Sequence, residues 1–263
     1  MDRRSFARGL PALARLGLPL VTVAYHDPEV GYPAVVADNR QGVQEAVRHL
    51  IAHGHRRIAF IGWLEYPCDR GTVRGLSRRA GRERTACSPE LVIDVEDNNL
   101  PGGRTGARRL LEGAALPCTA VVAGTDLTAV GVMEVLQVAG LRVPDDVAVV
   151  GFNDLTVAGL TEPPLTTLRT RFDEFGRRAA NLLLDEISGI AVPRIAHRVP
   201  VALIRRRSCG CDTADNLEPP PSAEALAECG TAPWPLTSCA WRCSQCLRSG
   251  PRYPERSGPA SRR

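Results

Sequence analysis

The chain alternates between short apolar runs and longer segments in which apolar residues recur at helical spacing. Val147–Phe152 is an unbroken apolar run between turn residues, which predicts a parallel strand covered on both faces. Two polar residues, Asn153 and Asp154, follow it at the carboxyl end. Similar runs predict further strands at Leu20–Ala24, Ala34–Ala37, Ile58–Ile61, Leu91–Val95, Ala120–Ala123 and Val199–Ile204.

Helices are predicted between these strands. One of them follows Asn39, a candidate N-cap, and stops at Gly54. A nearly all-apolar helix follows Thr125, which is predicted to cap it, and two more helices are predicted at Gly103–Glu112 and from Asp173 to Gly189. Strands that alternate with helices of this size are typical of an α/β fold with parallel sheets.

Composition adds little about partners. Every basic residue among the 33 is Arg, which suggests compositional bias, so the formal charge of +4 does not argue for nucleic-acid binding. No apolar run reaches membrane-spanning length. Arg3-Arg4-Ser5-Phe6 loosely resembles a twin-arginine export signal, but Arg15 interrupts the apolar segment, and we favour a helix running into a strand.

Six of the nine cysteines lie near the end of the chain, where residues 212–263 lack periodicity and predict a disordered tail rich in Cys and Pro. Metal binding by these cysteines is an alternative, but their spacing matches no standard four-ligand pattern. We therefore expect no metal and no cofactor, and a reducing cytoplasm. The six are Cys209, Cys211, Cys229, Cys239, Cys243 and Cys246.

Three ordered blocks resemble the lactose-repressor/galactose-repressor family of transcriptional regulators. The first runs from Asp38-Asn39 to the segment Gly54–Gly62. The second includes Thr119–Val122, Asp126 and Gly140–Asp154. The third begins at Pro164-Leu165-Thr166-Thr167-Leu168 and continues through Leu182-Leu183-Leu184. The similarity covers roughly residues 8–211, and no single block would carry it alone.

The resemblance implies a two-lobed, periplasmic-binding-protein-like fold that binds a sugar or nucleoside-like effector between its lobes and forms a homodimer. Residues 1–62 and 166–190 would form an incomplete N-terminal lobe, and residues 63–165 and 191–208 the C-terminal lobe. Family members read operator DNA through a helix-turn-helix that precedes this region. Only nine residues precede Leu10 here, too few for that unit. We therefore expect DNA binding only if such a unit is supplied upstream.

Polar residues at strand ends suit a ligand rich in hydroxyl groups, because strand ends in parallel sheets line the ligand crevice. His49 and His55 are interpreted as structural. Asn153 stands where many family members carry a ligand-holding Asp, and Thr72 stands where they carry an Arg, which leaves Arg70 or Arg74 as substitutes. Capping alone is an equal interpretation of Thr125 and Asp126. The predicted ligand-binding residues are Tyr25, Trp63, Arg70, Arg74, Thr125, Asp126 and Asn153.

Two other functions are weighed. An exported solute-binding protein of an uptake transporter would share the fold, and a cleaved signal would distinguish it. An enzyme is disfavoured because the sequence contains no Gly-rich phosphate loop, no nucleophile elbow and no metal-dyad spacing.

Overall fold

The computed structural model describes Leu13 and residues 16–26, 31–64, 89–113 and 116–212. The helices in these ranges are α1 (Asn39–Ala52), α2 (Leu100–Leu111), α3 (Asp126–Val138) and α4 (Phe172–Ile187). The strands are β1 (Thr22–Val23), β2 (Ala34–Ala37), β3 (Ile58–Gly62), β4 (Val92–Asp94), β5 (Ala120–Ala123), β6 (Ala148–Asn153), β7 (Thr166–Arg169), β8 (Ala196–Val199) and β9 (Ala202–Ile204).

Among the described residues, six strands form the larger sheet in the order β4-β3-β5-β6-β7-β9. All neighbours are parallel except β9, which runs antiparallel to β7. The central strands β3 and β5, and β6 up to Phe152, are apolar because both faces of the sheet are covered. One face packs against α2 and α3 through residues such as Ile61, Val121 and Val149. The opposite face packs against α1 through residues that include Phe60 and Val122.

The smaller sheet contains three parallel strands of the described chain, in the order β1-β2-β8. Its core is small, and Val35 and Val199 pack there against Phe175 of α4. A hydrogen bond from Leu20 N to Glu186 Oε2, 3.0 Å long, fastens the chain before β1 to the same helix. The α/β class and the parallel sheets expected from the sequence are therefore confirmed.

The lobe boundaries remain a prediction, and the sheet pairing bears on them at two strands. Residues 1–62 and 166–190 were expected in the N-terminal lobe, yet β3 and β7 lie in the larger sheet. The predicted strand Val199–Ile204 is interrupted at Pro200, so that β8 belongs to the smaller sheet and β9 to the larger one. The physical reason is that every buried parallel strand is a similar apolar run, and periodicity does not say which neighbour it pairs with.

Within the described ranges, no helix is both long enough and apolar enough to cross a membrane.

Candidate functional site

Three neighbouring strands of the larger sheet place polar or aromatic residues at one edge. Ile61 of β3 is in register with Ala123 of β5, and Val122 of β5 with Val150 of β6. Because the strands are parallel, the residues that follow them emerge at the same edge of the sheet. The edge therefore carries Trp63 after β3, Thr125 after β5 and Asn153 at the end of β6, all of them half-buried.

Asn98 joins two of these strand ends, and sequence reasoning placed it only in a loop. Its Oδ1 accepts a hydrogen bond of 2.8 Å from Trp63 N, and its carbonyl oxygen accepts one of 2.6 Å from Thr125 Oγ1. A Cβ on Gly124 would lie 2.8 Å from Asn98 Oδ1, so the glycine is needed for this close approach. The sequence offered one sign of this role, the pair Asn98-Asn99 between β4 and α2. Such a pair is common in turns, so it is weak evidence for a site.

Thr125 has two hydrogen-bonding roles at the start of α3. Its backbone is extended, and its Oγ1 accepts a 3.1 Å bond from Thr128 N, which confirms the predicted N-cap. The same hydroxyl donates to the Asn98 carbonyl. The cap therefore fixes the Thr125 side chain at the strand edge.

Asp126 lies beneath this edge, with no exposed surface. Leu155 N donates a 2.6 Å hydrogen bond to its Oδ2, and Thr167 Oγ1 donates to its Oδ1. A Cβ on Gly151 would overlap Oδ1, so that glycine makes room for the carboxyl group. Burial raises the pKa of Asp126 to about 6, although the hydrogen bonds from Thr167 and Leu155 oppose the rise. Both carboxylate oxygens of Asp126 are therefore engaged inside the fold.

The chain turns sharply after β6. Asn153 has a φ of +109° and Asp154 a φ of +56°, conformations that cost energy for residues other than glycine. Asp154 is held by two arginines, with 2.7 Å bonds from Arg169 Nε and from Arg206 Nη2. This clamp fixes the turn and keeps Asn153 at the strand edge.

Asn153 Oδ1 accepts a 3.2 Å hydrogen bond from Thr170 Oγ1. Its amide group can therefore donate while its oxygen is already oriented. An uncharged amide, a hydroxyl group and an indole ring at one edge suit a polar, uncharged ligand with several hydroxyl groups.

Of the other predicted site residues, the structure describes only Tyr25, which lies in the smaller sheet. Tyr25 follows β1 in the smaller sheet, where its carbonyl oxygen accepts a 2.7 Å bond from Thr22 Oγ1. Arg70 and Arg74 lie outside the described residues, as does the predicted cysteine-rich tail beyond residue 212. The clamp from Arg169 and Arg206 to Asp154 was missed, because residues 15 and 52 positions away give no local signal.

Comparisons with known proteins agree with this architecture. Residues 47–209 match the family described as periplasmic binding protein-like domain. The HTH-type transcriptional regulator reg1 of Streptomyces lividans is 35% identical over 182 residues, which are 67% of this chain and 52% of the relative. The chain therefore spans about half the length of that curated relative.

Solved structures give the same picture. The complex of the transcriptional regulator CelR with cellobiose superposes with a TM-score of 0.67 at 29% identity, over 77% of this chain and 69% of the other. The lac repressor dimer bound to operator and the anti-inducer ONPF has a TM-score of 0.65 at 26% identity, over 73% and 56%.

These relatives are transcriptional regulators, which favours a regulator over an exported solute-binding protein or an enzyme. The family match covers more than half of the chain, and the largely parallel sheets agree with it. The chain therefore belongs to the family of periplasmic binding protein-like domains, in the form carried by transcriptional regulators of the lactose-repressor/galactose-repressor type.

Proposed function

We propose that this chain senses a sugar or nucleoside-like small molecule at the carboxyl edge of its larger sheet. The observation that carries the proposal is the placement of Trp63, Thr125 and Asn153 on three adjacent parallel strands. The indole ring would stack on the apolar face of a ring, and the hydroxyl and amide groups would bond its hydroxyl groups. The cellobiose complex of CelR supports an oligosaccharide as the first ligand class to test.

The other predicted site residues are proposed either to contact the ligand from elsewhere or to support the residues that do. Tyr25 of the smaller sheet, together with Arg70 or Arg74, would contact the ligand from outside this edge. Asp126 would position Thr167 and Leu155 and would not touch the ligand, since its carboxyl group is fully enclosed. Ligand binding would act by favouring one arrangement of the two lobes over another.

The regulatory role is also part of the proposal. Effector binding would be non-catalytic and would take place in the cytoplasm. It would alter the affinity for operator DNA when a helix-turn-helix is joined to this domain. The support is the similarity to a regulator of Streptomyces lividans and to the lac repressor bound to operator.

A homodimer would form through the outer surface of α2 and α3. A groove of about 600 Å³ lies there, lined by Arg104, Arg108, Glu134, Val135, Gln137 and Val138. Val138 is 91% exposed and Leu160 is 78% exposed, so both offer apolar surface to a partner. Gln137 Nε2 donates a 2.8 Å bond to the Glu162 carbonyl, which ties the segment that carries Leu160 to α3. A second copy of this chain fits as the partner because the lac repressor relative is a dimer.

The ligand proposal is tested by calorimetric titration of the full chain with cellobiose, maltose and cytidine. For the ligand that binds, Asn153→Gly should weaken the affinity at least ~10-fold, because a hydrogen bond of about 1.4 kcal/mol or more is lost. Glycine tolerates the positive φ at this position, so the fold should persist, and the melting temperature checks that it does.

Asn181→Ala is the matched control. Asn181 is exposed on α4, so this variant should bind with unchanged affinity. If Asn153→Gly binds as tightly as the wild type, or if no compound of either class binds, the strand edge is not the sensing site.

A further inference from the structure

Two histidines and two cysteines meet at the end of α1, away from the strand-end site. His49 and His53 are four residues apart, so they share one face of the last turn. Cys209 and Cys211 follow β9 and flank Gly210, whose φ of +87° lets the chain turn tightly between them. The helix end and this turn thus present nitrogen and sulfur atoms to each other.

The distances are close to those of a metal centre. Cys211 Sγ lies 3.3 Å from His53 Nε2 and 3.5 Å from His49 Nε2. Cys209 Sγ lies 3.3 Å from His49 Nε2. Around a tetrahedral zinc ion, with Zn–S of about 2.3 Å and Zn–N of about 2.0 Å, neighbouring nitrogen and sulfur ligands lie about 3.5 Å apart. Small side-chain adjustments would therefore suffice to bind the ion.

We propose that His49, His53, Cys209 and Cys211 form a tetrahedral zinc-binding site. The ligand atoms of His49, His53 and Cys211 all lie within 4.8 Å of one another, and Cys209 supplies the fourth from its place beside His49. Two imidazoles and two thiolates are a donor set that zinc prefers. Each thiol loses its proton to solvent when its sulfur binds, and the two thiolates balance the charge of the ion.

The surroundings act in both directions. Burial raises the pKa of Cys211 to about 11, which opposes loss of its proton until a metal ion binds. Burial and the neighbouring His53 lower the pKa of His49 to about 4, so its imidazole is neutral and can ligate at neutral pH. Thr166 Oγ1 lies 3.0 Å from Cys209 Sγ and 2.8 Å from the Arg206 carbonyl oxygen. Its single proton would turn to Cys209 to stabilise a thiolate. The positive charge of Arg205 helps to lower the pKa of His49 and would also repel a bound zinc ion. The negative charges of the two thiolates would offset that repulsion.

The site would have a structural consequence. Cys209 and Cys211 lie in the segment that leaves β9, whereas α1 packs on one face of the larger sheet. A bound ion would fasten that segment to α1 and stabilise the folded state, because the ligands are not preassembled in the unfolded chain.

The test uses the full chain, purified under reducing conditions and loaded with zinc. Metal analysis should find about one tightly held zinc per chain, and a Co²⁺-loaded sample should give the thiolate charge-transfer and tetrahedral ligand-field bands. His53→Ala and Cys211→Ser should each lose most of the bound metal and these bands. His53 is exposed, so its removal should leave the fold intact.

Two controls make the result decisive. His197→Ala removes a half-buried histidine of β8 and should retain the metal. A variant with Ser in place of Cys229, Cys239, Cys243 and Cys246 should retain it too. The proposal is overturned if the unmodified chain binds no zinc, if these tail cysteines alone hold it, or if a Cys209–Cys211 disulfide forms in place of a metal site under reducing conditions.

Discussion

At the scale of single residues, Asp126 is a buried acid that follows β5. It accepts hydrogen bonds from Leu155, which follows β6, and from Thr167 of β7. Its folded-state pKa of about 6 lies above the ordinary value of 3.8, because burial disfavours the charge. The folded chain therefore holds this proton more tightly than the unfolded chain does. The stabilising contribution is complete below about pH 4 and is lost as the pH rises through about 6, a change of about 3 kcal/mol.

Asp126→Asn tests this linkage, because the amide keeps one acceptor for Leu155 and can donate to Thr167. Chemical unfolding from pH 4 to pH 7.5 should show the variant gaining up to about 3 kcal/mol relative to the wild type as the pH rises. Comparing the two proteins at each pH cancels the titration of other carboxyl groups, such as Glu174. If the difference in unfolding free energy between the two proteins does not change with pH, folding does not alter the pKa of Asp126.

Asp126→Ala provides the contrast. It removes both acceptors, and the Leu155 N–H is left without its partner in a half-buried position. We expect this variant to lose about 1–3 kcal/mol of unfolding free energy at pH 7 relative to Asp126→Asn. Equal stability of the two variants, measured by urea titration, would show that these hydrogen bonds contribute little.

The residue scale also shows the limits of sequence reasoning. Thr125 was predicted as a cap because its contact to Thr128 is local. The partner of Asp126 is Thr167, which lies 41 positions away, so only the folded chain reveals that the carboxyl group points inward. The approach of Cys209 to His49 was missed for the same reason, because the two residues are 160 positions apart.

At the scale of elements, α2 and α3 approach so closely that glycine is required where they touch. A Cβ on Gly131 would overlap the Leu100 carbonyl oxygen and lie 2.9 Å from Arg104 N. Backbone atoms do not move aside as a side chain does, so Gly131→Ala should destabilise the chain by at least about 1–3 kcal/mol. Urea unfolding monitored by circular dichroism measures the loss.

Gly176→Ala is the matched substitution in α4. Gly176 is exposed, and no atom lies within 4 Å of the place that an alanine methyl group would occupy. Alanine there should raise the unfolding free energy by about 0.4–1 kcal/mol, because it restricts the unfolded chain and favours the helix. If both glycine variants shift stability in the same direction, the close contact between α2 and α3 is not what constrains Gly131.

Most element types were predictable, since the apolar period differs between strands and helices. Element ends were less so. Helix α1 is capped by Asp38, whose Oδ1 accepts from Gln41 N, whereas Asn39 was predicted to do this. Both residues are good caps, and the choice depends on backbone angles that the sequence does not specify. The stop at Gly54 was confirmed by its φ of +90°.

At the scale of the whole molecule, the two-sheet plan could be predicted only through the resemblance to a family. The chain crosses between the sheets at several points. One crossing, at Pro200, lies inside the segment Val199–Ile204, which has the pattern of a single apolar strand. The pairing is set by tertiary contacts such as Val35 with Phe175 and Val199. Local patterning does not contain that information.

The arrangement of exposed apolar residues leads to a prediction about assembly. If α2 and α3 form a dimer interface, replacing both Val138 and Leu160 with Glu places charges in an apolar contact, and desolvating them is costly. The variant should sediment as a monomer at concentrations where the wild type is a dimer, with an unchanged melting profile of the monomer.

Ile195→Glu is the control, since Ile195 is 57% exposed just before β8 in the smaller sheet. This variant should still form the dimer because its charge lies outside the α2–α3 surface. If Ile195→Glu dissociates the protein and the double variant does not, the copies meet through the smaller sheet. The exposed Val138 and Leu160 would then lie outside the interface, which singly exposed apolar side chains can do at little cost.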